Sequence, residues 1–183
     1  MSAVFKTTHL LSYSFIFGAT TYYSYIVSPK MFKVLDRDSF STIQSAVFQQ
    51  YFGLQVLSGL LLPFLAHKSG LQIGKLGYYS AGVTFVASLT NLLWLQPLCH
   101  DIKKQRQALD LEKPEDVVED EVLRKQFGKY HGLSLLMNVI YSAALLTYGI
   151  RFGSLIWTKK INWSLLVNTI FVAKNIKKKK RVR

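Results

Sequence analysis

The side chains of this sequence equipped for acid–base, nucleophilic or metal chemistry are few and scattered. Cys99 is the only cysteine, so neither an intramolecular disulfide nor a cysteine-rich metal site is available. The histidines are His9, His67, His100 and His131, and all ten carboxylates fall between Asp36 and Glu121. No Ser/His/Asp set can be placed together, and no glycine-rich phosphate loop follows a strand. Proton-coupled transport commonly uses a carboxylate at membrane depth, and none lies inside an apolar stretch. The sequence therefore predicts no enzyme, no cofactor and no metal. His67 and His100 read as loop residues. His9 and His131 each begin an apolar segment, and in a four-span chain they lie on opposite membrane faces. A spanning helix is about 30 Å long, so this pair is a poor couple of axial haem ligands.

The elements that must position these groups follow from charge segregation. Half of the 183 residues are hydrophobic, yet the formal net charge is +13. Uncharged gaps of 23, 29, 25 and 21 residues separate Lys6 from Lys30, Asp38 from Lys68, Lys75 from Asp101 and Lys129 from Arg151. Crossing a bilayer takes roughly 20 apolar residues. A charge at the centre of a span costs roughly 2.5–3.5 kcal/mol. The pattern predicts an all-α polytopic membrane protein, a four-helix transmembrane bundle with a basic C-terminal tail. The transmembrane domain covers 1–153, with spans at 8–27, 46–66, 76–98 and 130–150. Pro29 and Pro97 are expected to end the first and third spans. Residues 30–45 read as a linker with a short amphipathic helix. A polar loop, 99–129, carries eight acidic and seven basic residues and is divided by Pro114. Residues 154–183 read as an interfacial segment and basic tail, because the uncharged run 161–173 is too short to span.

Charge also suggests partners. The run Lys177–Arg181 beside apolar residues suits anionic lipid headgroups, so the expected partners are the bilayer and those headgroups. The loop 99–129 is a candidate surface for protein partners, and no nucleic acid is expected. Counting Lys and Arg on the two sides of a four-span chain gives 13 against 10, which places the termini in the cytoplasm through the tail alone.

Polar residues inside spans tend to face a bundle interior. His9, Tyr13, Thr20 and Ser24 share a face of the first segment, and Gln55, Ser58 and Gly59 mark the second. Ser80, Thr84, Ser88 and Asn91 line the third, and His131, Ser134, Asn138, Tyr141 and Ser142 the fourth. These stripes predict interhelical faces joined by packing and hydrogen bonds. Asn91 and Asn138 fall at similar depth and are expected to lie close together. Trp94 reads as an interfacial anchor, Arg124 and Tyr130 as headgroup-level residues, and Gly132 as a point of close helix approach.

Four blocks resemble a known family. They are His9-Leu10-Leu11 with Gly18; Phe32, Leu35, Arg37, Phe40, Gln44-Ser45, Phe48 and Tyr51-Phe52; Asn91-x-x-Trp94-Leu95-x-Pro97; and Arg124-x-x-Phe127-x-x-Tyr130-His131-Gly132-Leu133-Ser134 with Asn138. Together they resemble the transmembrane protein 205 family of small four-span eukaryotic membrane proteins. The likeness implies a helical bundle with a polar central loop and supplies no chemical activity. The chain departs from that pattern after the fourth span, where a weak terminal segment flanked by Lys and Arg suits the endoplasmic reticulum or the mitochondrial outer membrane. Three functional readings remain: a non-enzymatic structural, trafficking or partner-binding protein; a lipid or small-molecule handler with a polar cavity between helices; and a haem- or metal-binding membrane protein.

Overall fold

The computed structural model describes residues 2–158, which are helical throughout except for two turns and one helix break. The elements are α1 (Ser2–Tyr22), α2 (Ser28–Val34), α3 (Arg37–Lys68), α4 (Gly74–Thr90), α5 (Gln96–Ala108) and α6 (Pro114–Thr158). Wide π-helical turns, Tyr23–Val27 and Asn91–Leu95, fuse α1 to α2 and α4 to α5. The chain is thus four rods, 2–34, 37–68, 74–108 and 114–158. The all-α expectation holds. Two rods, Gly74–Ala108 and Pro114–Ile156, are long and apolar enough to cross a membrane. The interfacial run 161–173 and the basic tail lie outside the described residues.

The prolines do not act as the sequence suggested. Pro29 and Pro97 each sit in the first turn of the helix that follows a π turn. In each turn the amide just before the proline bonds five residues back: Ser28 to the Tyr23 carbonyl, and Gln96 to that of Asn91. The widened turn takes up the ladder position that a proline cannot fill, so the helix continues. The first rod therefore runs to Val34 and the third to Ala108, beyond the expected ends. Pro63 likewise lies inside α3.

The expected linker also folds differently. The chain breaks only at Leu35 and Asp36, and the Asp36 carboxylate caps α3 by accepting from the amides of Asp38 and Ser39 at 3.1 and 2.9 Å. Those bonds hold its carboxyl below the usual range. Helix α3 therefore begins nine residues ahead of the expected span start at 46. At its far end Gly70 adopts φ +67° and closes the helix, with the Leu71 amide on the Ala66 carbonyl at 3.0 Å. Arg151 of α6 reaches back to this turn, its Nε donating to the Ile73 carbonyl at 3.1 Å.

The two ends of the bundle are packed differently. Toward the 69–73 turn, Ile16, Leu62, Ala66, Ile73, Leu145, Tyr148 and Phe152 form a closed core. Helices α3 and α4 approach most closely where a Cβ on Gly59 would lie 2.8 Å from the Phe85 Cα. Toward the 35–36 and 109–113 turns the rods separate. There α5 and the start of α6 form a helical hairpin clamped by Arg106, whose Nε and Nη2 donate to the Asp120 carboxylate at 2.7 and 3.3 Å.

Candidate functional site: a cleft at the open end of the bundle

The open end encloses a cavity of about 850 Å³, walled by the first π turn, α2, α3, α5 and α6. Its α3 wall centres on one stripe, flanked by Asp38, Phe40, Ser45 and Phe52. Arg37, Ser41, Gln44, Phe48 and Tyr51 line the cavity at alternating steps of four and three residues, which keeps them on one face. At 1.5 Å per residue, Tyr51 lies about 21 Å deeper than Arg37. The first rod runs antiparallel and meets the stripe level by level. Phe32 packs edge-on against Phe40 at the rim, with ring centres 5.3 Å apart. Gln44 Nε2 donates to Ser28 Oγ at 2.6 Å midway down, and Ser24 hydrogen-bonds Tyr51 at the floor.

Asn138 of α6 ties the floor together. Its amide oxygen accepts from the Tyr51 hydroxyl at 3.0 Å and from Gln55 Nε2 at 2.7 Å, and its Nδ2 donates to Ser24 Oγ at 3.0 Å. One turn below, Ser58 Oγ donates to the Gln55 carbonyl and lies 3.2 Å from the Tyr141 hydroxyl. Three helical rods are thereby joined through neutral amides and hydroxyls.

Two polar atoms on the cavity wall have no partner among the described residues. Gln44 Oε1 and the Tyr23 hydroxyl are both buried and unbonded. Buried polar groups are normally satisfied by protein or ordered water, so each is left for water or a ligand to pair. The rim is charged: Arg37, Asp38, Lys103, Arg106 and Asp120 all line it. Arg106 and Asp120 neutralise each other, and the arginine's hydrogen bonds hold the Asp120 carboxyl below the usual range. The sides between rim and floor are aromatic and aliphatic, with Phe48, Phe52, Phe127 and Leu135. A neutral polar floor, apolar sides and a cationic rim suit an elongated amphiphile rather than a reacting centre.

The residues singled out from sequence divide between this cleft and the rest of the bundle. Gln55 and Asn138 form the floor network, and Ser134 and His131 line the cavity wall. His131 stacks on Phe127 with ring centres 5.4 Å apart. Asn91 is fully buried, and its Nδ2 donates to the Ser134 carbonyl at 3.2 Å. It thus meets α6 one turn before Asn138. His9 is buried in the closed end, with Nε2 2.9 Å from the Tyr148 hydroxyl and its ring 4.0 Å from that of Phe152. Tyr148 follows His131 by 17 residues, about 25 Å along α6, so the two histidines share no site. Ser88 turns inward on its own helix, its Oγ bonding the Thr84 carbonyl at 2.7 Å. Ser80 and Thr84 do the same, so the α4 stripe is a packing face and not an interhelical hydrogen-bond ladder. Trp94 is half exposed, and Arg124 is exposed on the hairpin. Tyr130 lies under the Lys129 ammonium. Pro97 lies inside a continuing rod. No neighbour stands within 4 Å of a Cβ built on Gly132, so the close approach expected there is made at Gly59 instead. Among the described residues no cluster of three metal-ligating side chains occurs.

Sequence reading missed Tyr23, Gln44 and Lys103 as cavity residues. The signal was present in α3, where the spacing from Arg37 to Gln55 is helical throughout. A span start placed at 46 cut that stripe in half.

Comparison with known proteins corrects the expected resemblance. The family described as Domain of unknown function (DUF4149) matches residues 11–108. An uncharacterized protein of Aquifex aeolicus is 29% identical over 136 residues, which cover 74% of this chain and 86% of the relative. No solved structure matches. These findings point to a family with a bacterial member and overturn the assignment to the eukaryotic transmembrane protein 205 family. The endoplasmic reticulum and mitochondrial expectations rested on the basic C-terminal segment and gain no support from these comparisons.

Proposed function

The chain belongs to the DUF4149 family, and we propose from that premise that it is a four-span membrane protein whose open-end cavity binds a small amphiphilic molecule. The observation that carries the reading is the cavity itself. Its neutral polar floor is built from three rods, and two buried wall atoms, Gln44 Oε1 and the Tyr23 hydroxyl, lack partners.

The membrane part rests on two rods that meet the length and apolarity of a span, and on what the other two expose. Leu11 and Phe15 on α1 are 63% and 65% exposed, and Leu57, Leu60 and Phe64 on α3 are exposed as well. Scattered exposed apolar residues are ordinary, but a ring of them around all four rods is what lipid contact requires. In this arrangement the cleft opens at the membrane–water boundary, and the α5–α6 hairpin projects beyond it. The amphiphile's apolar part lies against the aromatic sides, and its polar part meets the rim and floor. The protein binds, presents or moves this molecule and does no covalent chemistry on it.

The test is purification of the full chain in mild detergent followed by native mass spectrometry. The expected result is one small amphiphile bound per chain, lost when Ser45→Trp fills the cavity. A chain that carries no molecule, with Ser45→Trp indistinguishable from it, would remove the reading.

A further inference from the structure

The charges on the cleft wall narrow the ligand class, given that the cleft is a binding site as proposed above. Of the five charged residues at the rim, Arg106 and Asp120 are joined in a two-bond ion pair. Lys103 is half-buried in the α5 wall, and no carboxylate stands within salt-bridge distance of it among the described residues. Arg37 on α3 is exposed beside Asp38, and it too has no carboxylate within salt-bridge distance among the described residues. Sheltering an ammonium from water without a counterion is unfavourable, and an anion from the ligand relieves it. Arginine and lysine together are the usual recognition pair for phosphate.

Deeper in the cleft the requirement changes. Gln44 Oε1 is an acceptor without a donor, on a side chain only 7% exposed, and Ser41 and Ser45 line the wall beside it. Gln44 lies two turns below Arg37 on the same face, about 10.5 Å away along the helix. A ligand that satisfies both needs an anionic group and a hydrogen-bond donor separated by several bonds, and a hydroxyl meets the second need without adding charge to the neutral wall. Inorganic phosphate is too short to reach both, and a simple fatty acid has no hydroxyl to offer. At the rim, Phe32 is 65% exposed and packs on Phe40, giving an apolar lip over which a hydrocarbon chain can leave the cleft.

We propose that the cleft binds a polyol phosphate, with the phosphate taken by Lys103 and Arg37 and a hydroxyl donating to Gln44 Oε1. Such a group occurs as a lipid headgroup or as a free sugar or glycerol phosphate, and the two sources share this chemistry.

The experiment places the full chain in nanodiscs of phosphatidylcholine containing a minor fraction of phosphatidylglycerol. Lipid retained on the released protein is read by native mass spectrometry. Glycerol 3-phosphate is added as a soluble competitor. The expected result is one phosphatidylglycerol retained per chain in preference to phosphatidylcholine. Lys103→Gln and Arg37→Gln should each weaken retention about tenfold or more, the usual worth of a hydrogen bond to a charged group. Gln44→Leu should weaken it too, whereas Lys104→Gln, on an exposed neighbour outside the cleft, should not. Retention of phosphatidylglycerol against excess competitor identifies a lipid. Binding of glycerol 3-phosphate in its place, with the same dependence on Lys103, identifies a soluble polyol phosphate. A different molecule bound one to one and indifferent to Lys103→Gln and Arg37→Gln would overturn the ligand class while leaving the cavity reading intact. No bound molecule at all would overturn both.

Discussion

The Tyr51 hydroxyl donates to the side-chain oxygen of Asn138 at 3.0 Å, across 87 residues of sequence. This bond sits at the centre of a network that includes Gln55 on α3 and Ser24 on the first π turn. Low-dielectric surroundings make such a network strong when complete and costly when broken.

Asn138→Leu therefore leaves the Gln55 amide and the Tyr51 hydroxyl short of an acceptor, and Ser24 short of a donor. The expected loss of stability is about 1–3 kcal/mol, seen as a lower unfolding temperature in detergent. Adding Gln55→Leu should cost less than the sum of the two single changes, because both act on one network. Strict additivity in that cycle would show that the network is not a cooperative unit.

Gly59→Ala tests the close approach of α3 and α4. The added Cβ would meet the Phe85 Cβ at 2.6 Å and its backbone nitrogen at 2.9 Å, so backbone must move. Overpacking of this kind costs roughly 1–3 kcal/mol. Gly132→Ala, where no neighbour stands within 4 Å, should be neutral or slightly stabilising, since alanine is the better helix former. Equal thermal stability of the two variants would contradict the packing described for α3 and α4.

Much of this architecture was legible in the sequence, and the failures have specific causes. Charge-free gaps mark all four rods because a buried or lipid-facing helix segment cannot tolerate charge. Rod ends were misplaced at Pro29 and Pro97 because the reading assumed an α-helical ladder. A π turn shifts the hydrogen-bond register, and nothing in Tyr23–Val27 announces one. Helical spacing marks the floor residues Gln55 and Asn138, whereas a linker over 30–45 hides Gln44. The place of Lys103 is not legible, since it depends on α5 continuing the third rod past Pro97 and facing the cleft opposite α2 and α3. The hydroxyls of Ser80, Thr84 and Ser88 gave a correct face and a wrong bonding pattern, because a helical serine or threonine readily bonds its own preceding turn.

Acid should loosen the α5–α6 hairpin first. Asp120 has its carboxyl held below the ordinary value by Arg106, so the folded state favours the ionised form. That contribution is fully present above the unfolded carboxyl value of about 3.9 and is lost as pH falls through the lower folded value. Protection of amides in 100–125, measured against the intrinsic exchange rate at each pH, should therefore fall below about pH 4, ahead of the closed end of the bundle. Asp120→Asn should show the faster exchange at neutral pH and remove most of the acid response. Unchanged exchange in Asp120→Asn would mean that the Arg106 pair does not hold the hairpin.

The proposed four-span arrangement makes a topological demand that labelling can check. If every rod crosses the bilayer, the breaks at Asp36 and at 109–113 share one side, and the 69–73 turn lies on the other. In a Cys99→Ala background, single cysteines at Asp36→Cys and Leu111→Cys should react with an impermeant maleimide from the same face of sealed vesicles. Gln72→Cys should react only from the opposite face. The cleft rim, with Arg37 and Lys103, belongs to the first face, because both residues line the cavity near those breaks. Labelling of Asp36→Cys and Gln72→Cys from one face, with Leu111→Cys reacting from the other, would show that rod 37–68 does not cross. The exposed leucines and phenylalanine of α3 would then have to be covered by something other than lipid.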